Sequence, residues 1–122
     1  MARAKKSSDG KPLWMPLYVS DYLADTGRLT ASQHGAYLML MMDYWQNGAP
    51  PDNNDVLARI ARMSPSVWMT TRPILVKYFV IVDGVWRHSR VDAEYQHAVG
   101  LVKKSRDRAS AGGRARAEKY GH

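Results

Sequence analysis

DNNDVLARIARMSPSVWMTTRPILVKYFVIVDGVWRHSRV, residues 52–91, runs two helices, a tight break and a hairpin together without a spacer. Asp52, Asn53 or Asn54 offers an N-cap, and Val56, Leu57, Ile60 and Ala61 recur at the spacing of one apolar helix face. Arg59 and Arg62 fall elsewhere on that helix. A second start signal follows at once. Ser64 is a cap, and Pro65 takes the first helical position, where its missing N–H costs nothing. Val67, Trp68, Thr71, Ile74, Leu75 and Tyr78 form the expected buried side of this helix. Pro73 lies inside it and is expected to kink or split it. Phe79-Val80-Ile81-Val82 is β-branched and aromatic, Asp83-Gly84 is a two-residue turn that tolerates positive φ, and Val85 to Val91 returns. This turn sets Val82 opposite Val85, Ile81 opposite Trp86, Val80 opposite Arg87 and Phe79 opposite His88. Ile81, Trp86 and Phe79 are expected to face the core, and Arg87 to point away from it.

Upstream, Thr30 and Gln33 have the spacing of a capping box, in which each side chain satisfies a free backbone N–H of the first turn. Tyr37, Leu38, Met41, Tyr44 and Trp45 then mark a core-facing helix, which Leu40 and Met42 widen. Asn47-Gly48 stops it, and Pro50-Pro51 forbid its continuation. Before it, Ser20 or Asp21 is expected to cap one or two helical turns, with Leu17, Tyr18, Tyr22 and Leu23 packing inward. Downstream, a last helix is expected from Asp92 on a weak stripe of Tyr95, Ala98, Val99 and Val102. The organisation expected is a disordered basic N-terminus over 1–12, one domain over 13–102, and a basic flexible tail over 103–122 that frays at Gly112-Gly113.

At 122 residues the chain is sized for one domain, and cysteine is absent, which removes disulfides, thiolate zinc ligands and thiol catalysis together. No apolar run approaches the ~20 residues that span a bilayer, and no signal-peptide core follows the basic start. A protein of the cytoplasm, that of a bacterial host, with no membrane contact is the expectation. The net charge is +7. Residues 1–20 and 92–122 each carry +3, whereas residues 21–91 carry only +1. Basic ends on a nearly neutral middle favour polyanion contact without specifying a sequence.

Helix, helix after a tight break, helix, then hairpin is a mainly α fold with a β-hairpin, in a winged helix-turn-helix-like order. Several stretches also carry a family resemblance. Trp14 to Tyr18, Asp21 to Thr26, Leu29-Thr30, His34 to Leu40, Leu57 to Ala61, Trp68 to Pro73 and Asp83 to Trp86 resemble the YdaU-like family of phage and prophage proteins, a domain of unknown function. The resemblance spans about residues 13–95, and its opening tryptophan-to-threonine block is the most specific part. It implies a winged-helix-like domain related to the N-terminal domains of DnaD-like and phage replisome-organiser proteins. Those act in replication initiation, bind DNA or oligomerise, and help bring in a helicase loader. No second domain for helicase-loader contact is expected after the matched stretch, so the expectation is a minimal origin-binding or accessory role, or recruitment to another phage task.

The candidate DNA-contacting residues follow from that order. Ser64, Ser66, Met69, Thr70 and Arg72 lie on the third helix, where hydroxyls and N-terminal amides suit phosphate and Arg72 suits phosphate or a guanine edge. Arg59 and Arg62 would flank the groove, and Arg87 and Arg90 would act from the wing. Lys103, Lys104, Arg106 and Arg108, followed by Arg114, Arg116 and Lys119, would hold backbone phosphates by charge alone. The third helix carries no Asn or Gln, so non-specific or shape-driven binding of double- or single-stranded DNA is expected over direct readout. Trp45, Trp68 and Trp86 are expected in the core, and Trp14 at an edge. Neither enzyme nor cofactor is expected: His34, His88, His97 and His122 lack metal-ligand spacing, and Asp21, Asp25, Asp92 and Glu94 read as caps and surface charge. A different class stays open. Met39, Met41 and Met42 suit adaptable protein contacts, as in a homodimer or a phage protein that redirects a host replication or defence complex.

Overall fold

Thr30 caps the longest helix of the core as its sequence demands. Its hydroxyl accepts the Gln33 N–H at 3.2 Å, and its own N–H donates to the Gln33 side chain at 2.9 Å. In the computed structural model, which describes residues 12–119 and side chains to residue 109, this is the second of five helices. The five are α1 (Val19–Asp25), α2 (Ala31–Asn47), α3 (Asn54–Ala61), α4 (Pro65–Leu75) and α5 (Ser89–Lys119). A 3-10 turn (Val76–Tyr78) and the antiparallel strands β1 (Val80–Val82) and β2 (Val85–Arg87) lie between α4 and α5. Residues 1–11, and with them nearly all of the segment expected to be disordered, fall outside the described residues.

Met15–Ala93 forms one compact unit. Its centre is α2, which buries Ala36, Tyr37, Leu40, Met41, Tyr44 and Trp45. Leu40 becomes fully buried, and Leu38 only half so. Gly48 ends the helix at φ +88°, the left-handed region that a side chain resists. Asn53 caps α3 by accepting the Asp55 and Val56 N–H groups, and Leu57, Ala58 and Ala61 are buried beneath it. Arg62 turns the chain at φ +63°, and Ser64 caps α4 by accepting the Val67 N–H. Trp68, Thr71 and Leu75 form the buried side of α4. The helix runs through Pro73 to Leu75 without splitting. Pro73 sits in its last turn, so only one ladder bond, to the Met69 carbonyl, is forgone.

The hairpin has the expected register: Val80 faces Arg87, Ile81 faces Trp86 and Val82 faces Val85. Its far edge is covered as well. Trp86 N–H donates to the Pro50 carbonyl and Asp52 N–H to the Gly84 carbonyl, so residues 50–52 lie along β2 on the side away from β1. Trp86 and Phe79 are buried, but Ile81 is not. Ile81 stands opposite fully buried Trp86, but on the outer strand, whereas β2 lies between β1 and residues 50–52.

Two further inward assignments give way. Val67 points outward from the first turn of α4. No residue of α1 is buried, and Leu17, Tyr18 and Leu23 are exposed while Tyr22 is half-buried. Helical spacing places such residues on one face but does not supply an element to cover it. The join from α1 to α2 rests on Thr26, whose buried hydroxyl donates to the Tyr22 carbonyl at 2.6 Å. Finally, α5 begins at Ser89, three residues before the expected start, and its backbone stays helical through residues 103–119, where a flexible tail was expected. Ala, Lys and Arg in that stretch are among the better helix formers, which favours continuation. No helix among the described residues is long and apolar enough to cross a membrane.

Candidate nucleic-acid interface

Arg72 is the residue of α4 most suited to a nucleic acid, and its neighbours claim it. Its guanidinium sits 2.7 Å from the Asp52 carboxylate and donates to the Asn54 side-chain oxygen at 2.9 Å. It also lies over the Trp86 ring, 5.1 Å from the centroid. The same two acceptors take the indole N–H groups of the core: Trp86 donates to Asp52 and Trp68 to Asn54, each at 3.0 Å. One polar knot thereby ties the 50–54 segment, α4 and β2 together. Hydrogen bonds from Arg72, then from Trp86, hold the Asp52 carboxyl below its ordinary pKa.

The two arginines assigned to the wing are engaged as well. Arg87 pairs with Asp92 at 2.9 Å and lies over the Tyr44 ring. Arg90 bridges Asp21 and Asp25 of α1, the latter at 3.3 Å. Between them His88 caps α5. The Val91 N–H donates to its Nδ1 at 3.2 Å, so the ring is neutral with its proton on Nε2, which bonds the Tyr37 hydroxyl at 2.8 Å. The His88 N–H donates to the Tyr44 hydroxyl, which donates to Asp92. Burial lowers the His88 pKa, against an upward pull from Asp92, and burial raises that of Tyr37.

The outward residues of α4 are mostly uncharged. Ser64 is occupied as the cap and lies 3.4 Å from the Ser66 hydroxyl, and the Thr70 hydroxyl donates to the Val67 carbonyl. Val67 and Met69 are exposed beside them. Arg59 and Arg62, at the end of α3 and in the turn, are exposed and have no ion-pair partner among the described residues. Lys77 is also exposed, though its position in the sequence marked it for no role.

Charge over the whole chain is sharply divided. Met15–Ala93 holds seven basic and seven acidic residues and is neutral, so all of the net +7 lies in residues 1–14 and 94–122. Lys103, Lys104, Arg106 and Arg108 are exposed on α5 and have no ion-pair partner among the described residues. The side chains of Arg114, Arg116 and Lys119 lie outside the described residues. Asp21, Asp25, Asp52, Asn54 and Asp92, which immobilise three of the candidate arginines, were not identifiable as partners. Arg90 and Asp21 stand 69 positions apart, and no local pattern links such residues. Among the tryptophans, Trp45, Trp68 and Trp86 are buried and Trp14 is exposed.

A family model described as protein of unknown function (DUF1376) matches residues 13–96. The chain is 40% identical over 102 residues to the uncharacterized protein YdaU of Escherichia coli strain K12, a match that covers 84% of this chain and 34% of that protein. The chain thus spans about a third of the length of the relative it matches. No solved structure matches it.

Proposed function

We propose that this chain, which belongs to the DUF1376 family of proteins of unknown function, is a non-enzymatic DNA-associated module of phage or prophage origin that holds nucleic acid through charge on its last helix. The observation that carries this reading is the partition of charge: a neutral compact unit against exposed Lys103, Lys104, Arg106 and Arg108, which have no ion-pair partner among the described residues. Phosphates need only positive charge within reach, and each contact gains entropy by releasing condensed counterions. Base readout needs donors and acceptors on an element that fits the major groove, and the outer residues of α4 supply few.

The compact unit is, on this reading, a winged helix. The short turn between α3 and α4, the hairpin after α4, and the 50–52 segment beside β2 support it. Kinship with the N-terminal domains of DnaD-like and replisome-organiser proteins would place the module at replication initiation in the bacterial cytoplasm, as an accessory that retains DNA near a partner. Fold analogy carries only that last step.

The test is fluorescence anisotropy of labelled duplex and single-stranded DNA with the full chain. Lys103, Lys104, Arg106 and Arg108 changed together to Gln should abolish most of the affinity, and Arg59→Gln with Arg62→Gln should change it little. The opposite ranking would move the interface to the helix-turn-helix surface. A second reading, a protein-interaction module, is favoured by one observation: α4 presents Val67 and Met69 to solvent, and its one cation, Arg72, is held internally.

A further inference from the structure

We propose that the outer edge of β1 is a self-pairing surface, at which Val80–Val82 joins Val80–Val82 of a second copy of this chain to make a four-stranded sheet across a two-fold axis. The register of the hairpin sets which backbone groups are available. With a two-residue turn, Val82 and Val85 exchange hydrogen bonds, as do Val80 and Arg87, so Ile81 and Trp86 form the pair that does not. The other side of β2 agrees with this, since Trp86 N–H points away from β1 to Pro50. The N–H and C=O of Ile81 therefore both face the open edge.

A two-fold axis beside Ile81 satisfies both groups at once: each Ile81 donates to the other and accepts from it. The same register sets Val80 against Val82 of the second copy and Ile81 against Ile81. All three side chains are exposed in the single chain, Val80 to 63%. Antiparallel pairing also brings the start of one strand to the end of the other. Exposed Lys77, in the 3-10 turn ahead of β1, and exposed Asp83, just after β1, thus bring opposite charges to each end of the strand pair. Two copies of the neutral Met15–Ala93 unit do not repel one another. Exposed edge strands are ordinarily protected by a lysine, a proline or a bulge within the strand, and Val-Ile-Val has none of these. Self-pairing is independent of the proposed nucleic-acid contact, because Lys103, Lys104, Arg106 and Arg108 belong to α5 and the pairing uses only residues 77–83.

Sedimentation velocity on nuclease-treated full chain, from micromolar to millimolar concentration, tests it. The mass should rise from one chain to two. Ile81→Pro removes the outward N–H but none of the bonds within the hairpin, and should hold the protein monomeric with its circular dichroism intact. Val80→Lys with Val82→Lys changes only exposed side chains and should do the same, so the test survives if the proline variant fails to fold. Lys77→Glu should weaken dimerisation several-fold. A parent chain that stays monomeric at every concentration overturns the proposal, and so does a dimer that persists in the folded lysine variant.

Discussion

Replacing Arg72 by Ala separates a structural arginine from a DNA-contacting one. The substitution removes the hydrogen bond to Asn54, worth about 1 kcal/mol net, and the cation–π contact on Trp86, worth about 0.5–1 kcal/mol. It also strips Asp52 of the guanidinium that stabilises its charged form. A loss of about 1.5–2 kcal/mol in a unit this small corresponds to a fall in Tm of roughly 6–16 °C. Arg72→Lys should recover only part of that, because a single ammonium cannot span Asp52 and Asn54 while lying flat on the indole. Thermal melting by circular dichroism, with the near-ultraviolet tryptophan signal followed in parallel, reads the effect. DNA affinity at a temperature where both proteins are folded should be unchanged. If Arg72→Ala melts within about 2 °C of the parent, well below the fall expected from the size scaling, and DNA binding falls, the knot is incidental and the arginine is a groove contact.

Three further outcomes follow from the same geometry. Burial keeps the His88 pKa below its ordinary 6.5, so the unfolded chain takes up the proton first. Stability is then complete above about 6.5 and is lost as pH falls below it, at no more than ~1.4 kcal/mol per pH unit and less for a half-buried ring. Urea unfolding between pH 7.5 and 5.5 should show this slope, and His88→Gln should flatten it; equal slopes would remove His88 from the account. Arg62→Gly relieves the left-handed backbone at φ +63° and should stabilise by about 0.5–1 kcal/mol after the entropy of glycine is deducted, so a lower urea midpoint would count against it. Thr30→Ala deletes the hydroxyl that accepts the Gln33 N–H in the α2 capping box and should cost about 1 kcal/mol, read from the same urea curves.

Local signals proved legible where the physics is local. Thr30 with Gln33, Ser64 with Pro65, and Asp83-Gly84 each involve neighbours in the chain, and each fixes a helix start or a strand register whatever the rest of the molecule does. The core tryptophans were legible too, since an apolar position on a periodic face is normally covered. The failures share one cause. Whether Leu17, Leu23, Val67 or Ile81 is buried depends on what lies opposite, and no spacing rule contains that. The candidate interface suffered most. Arg72 and Arg90 look available in the sequence because Asp52 and Asp21 come near them only in three dimensions, and Arg87 meets Asp92, five positions on, only through the turn from β2 into α5. The division of charge between the ends and the middle, by contrast, was already visible and became sharper once Met15–Ala93 was delimited.

The salt dependence of DNA binding tests the central claim most directly. The logarithm of the association constant for a short duplex would be plotted against the logarithm of salt concentration, for the full chain and for the variant with Gln at 103, 104, 106 and 108. Four phosphate contacts contribute about −3.6 to that slope, so the account predicts that the variant binds more weakly and that its slope is shallower by roughly this amount. Equal slopes and equal affinities would contradict it, and would return the search for the interface to the neutral unit.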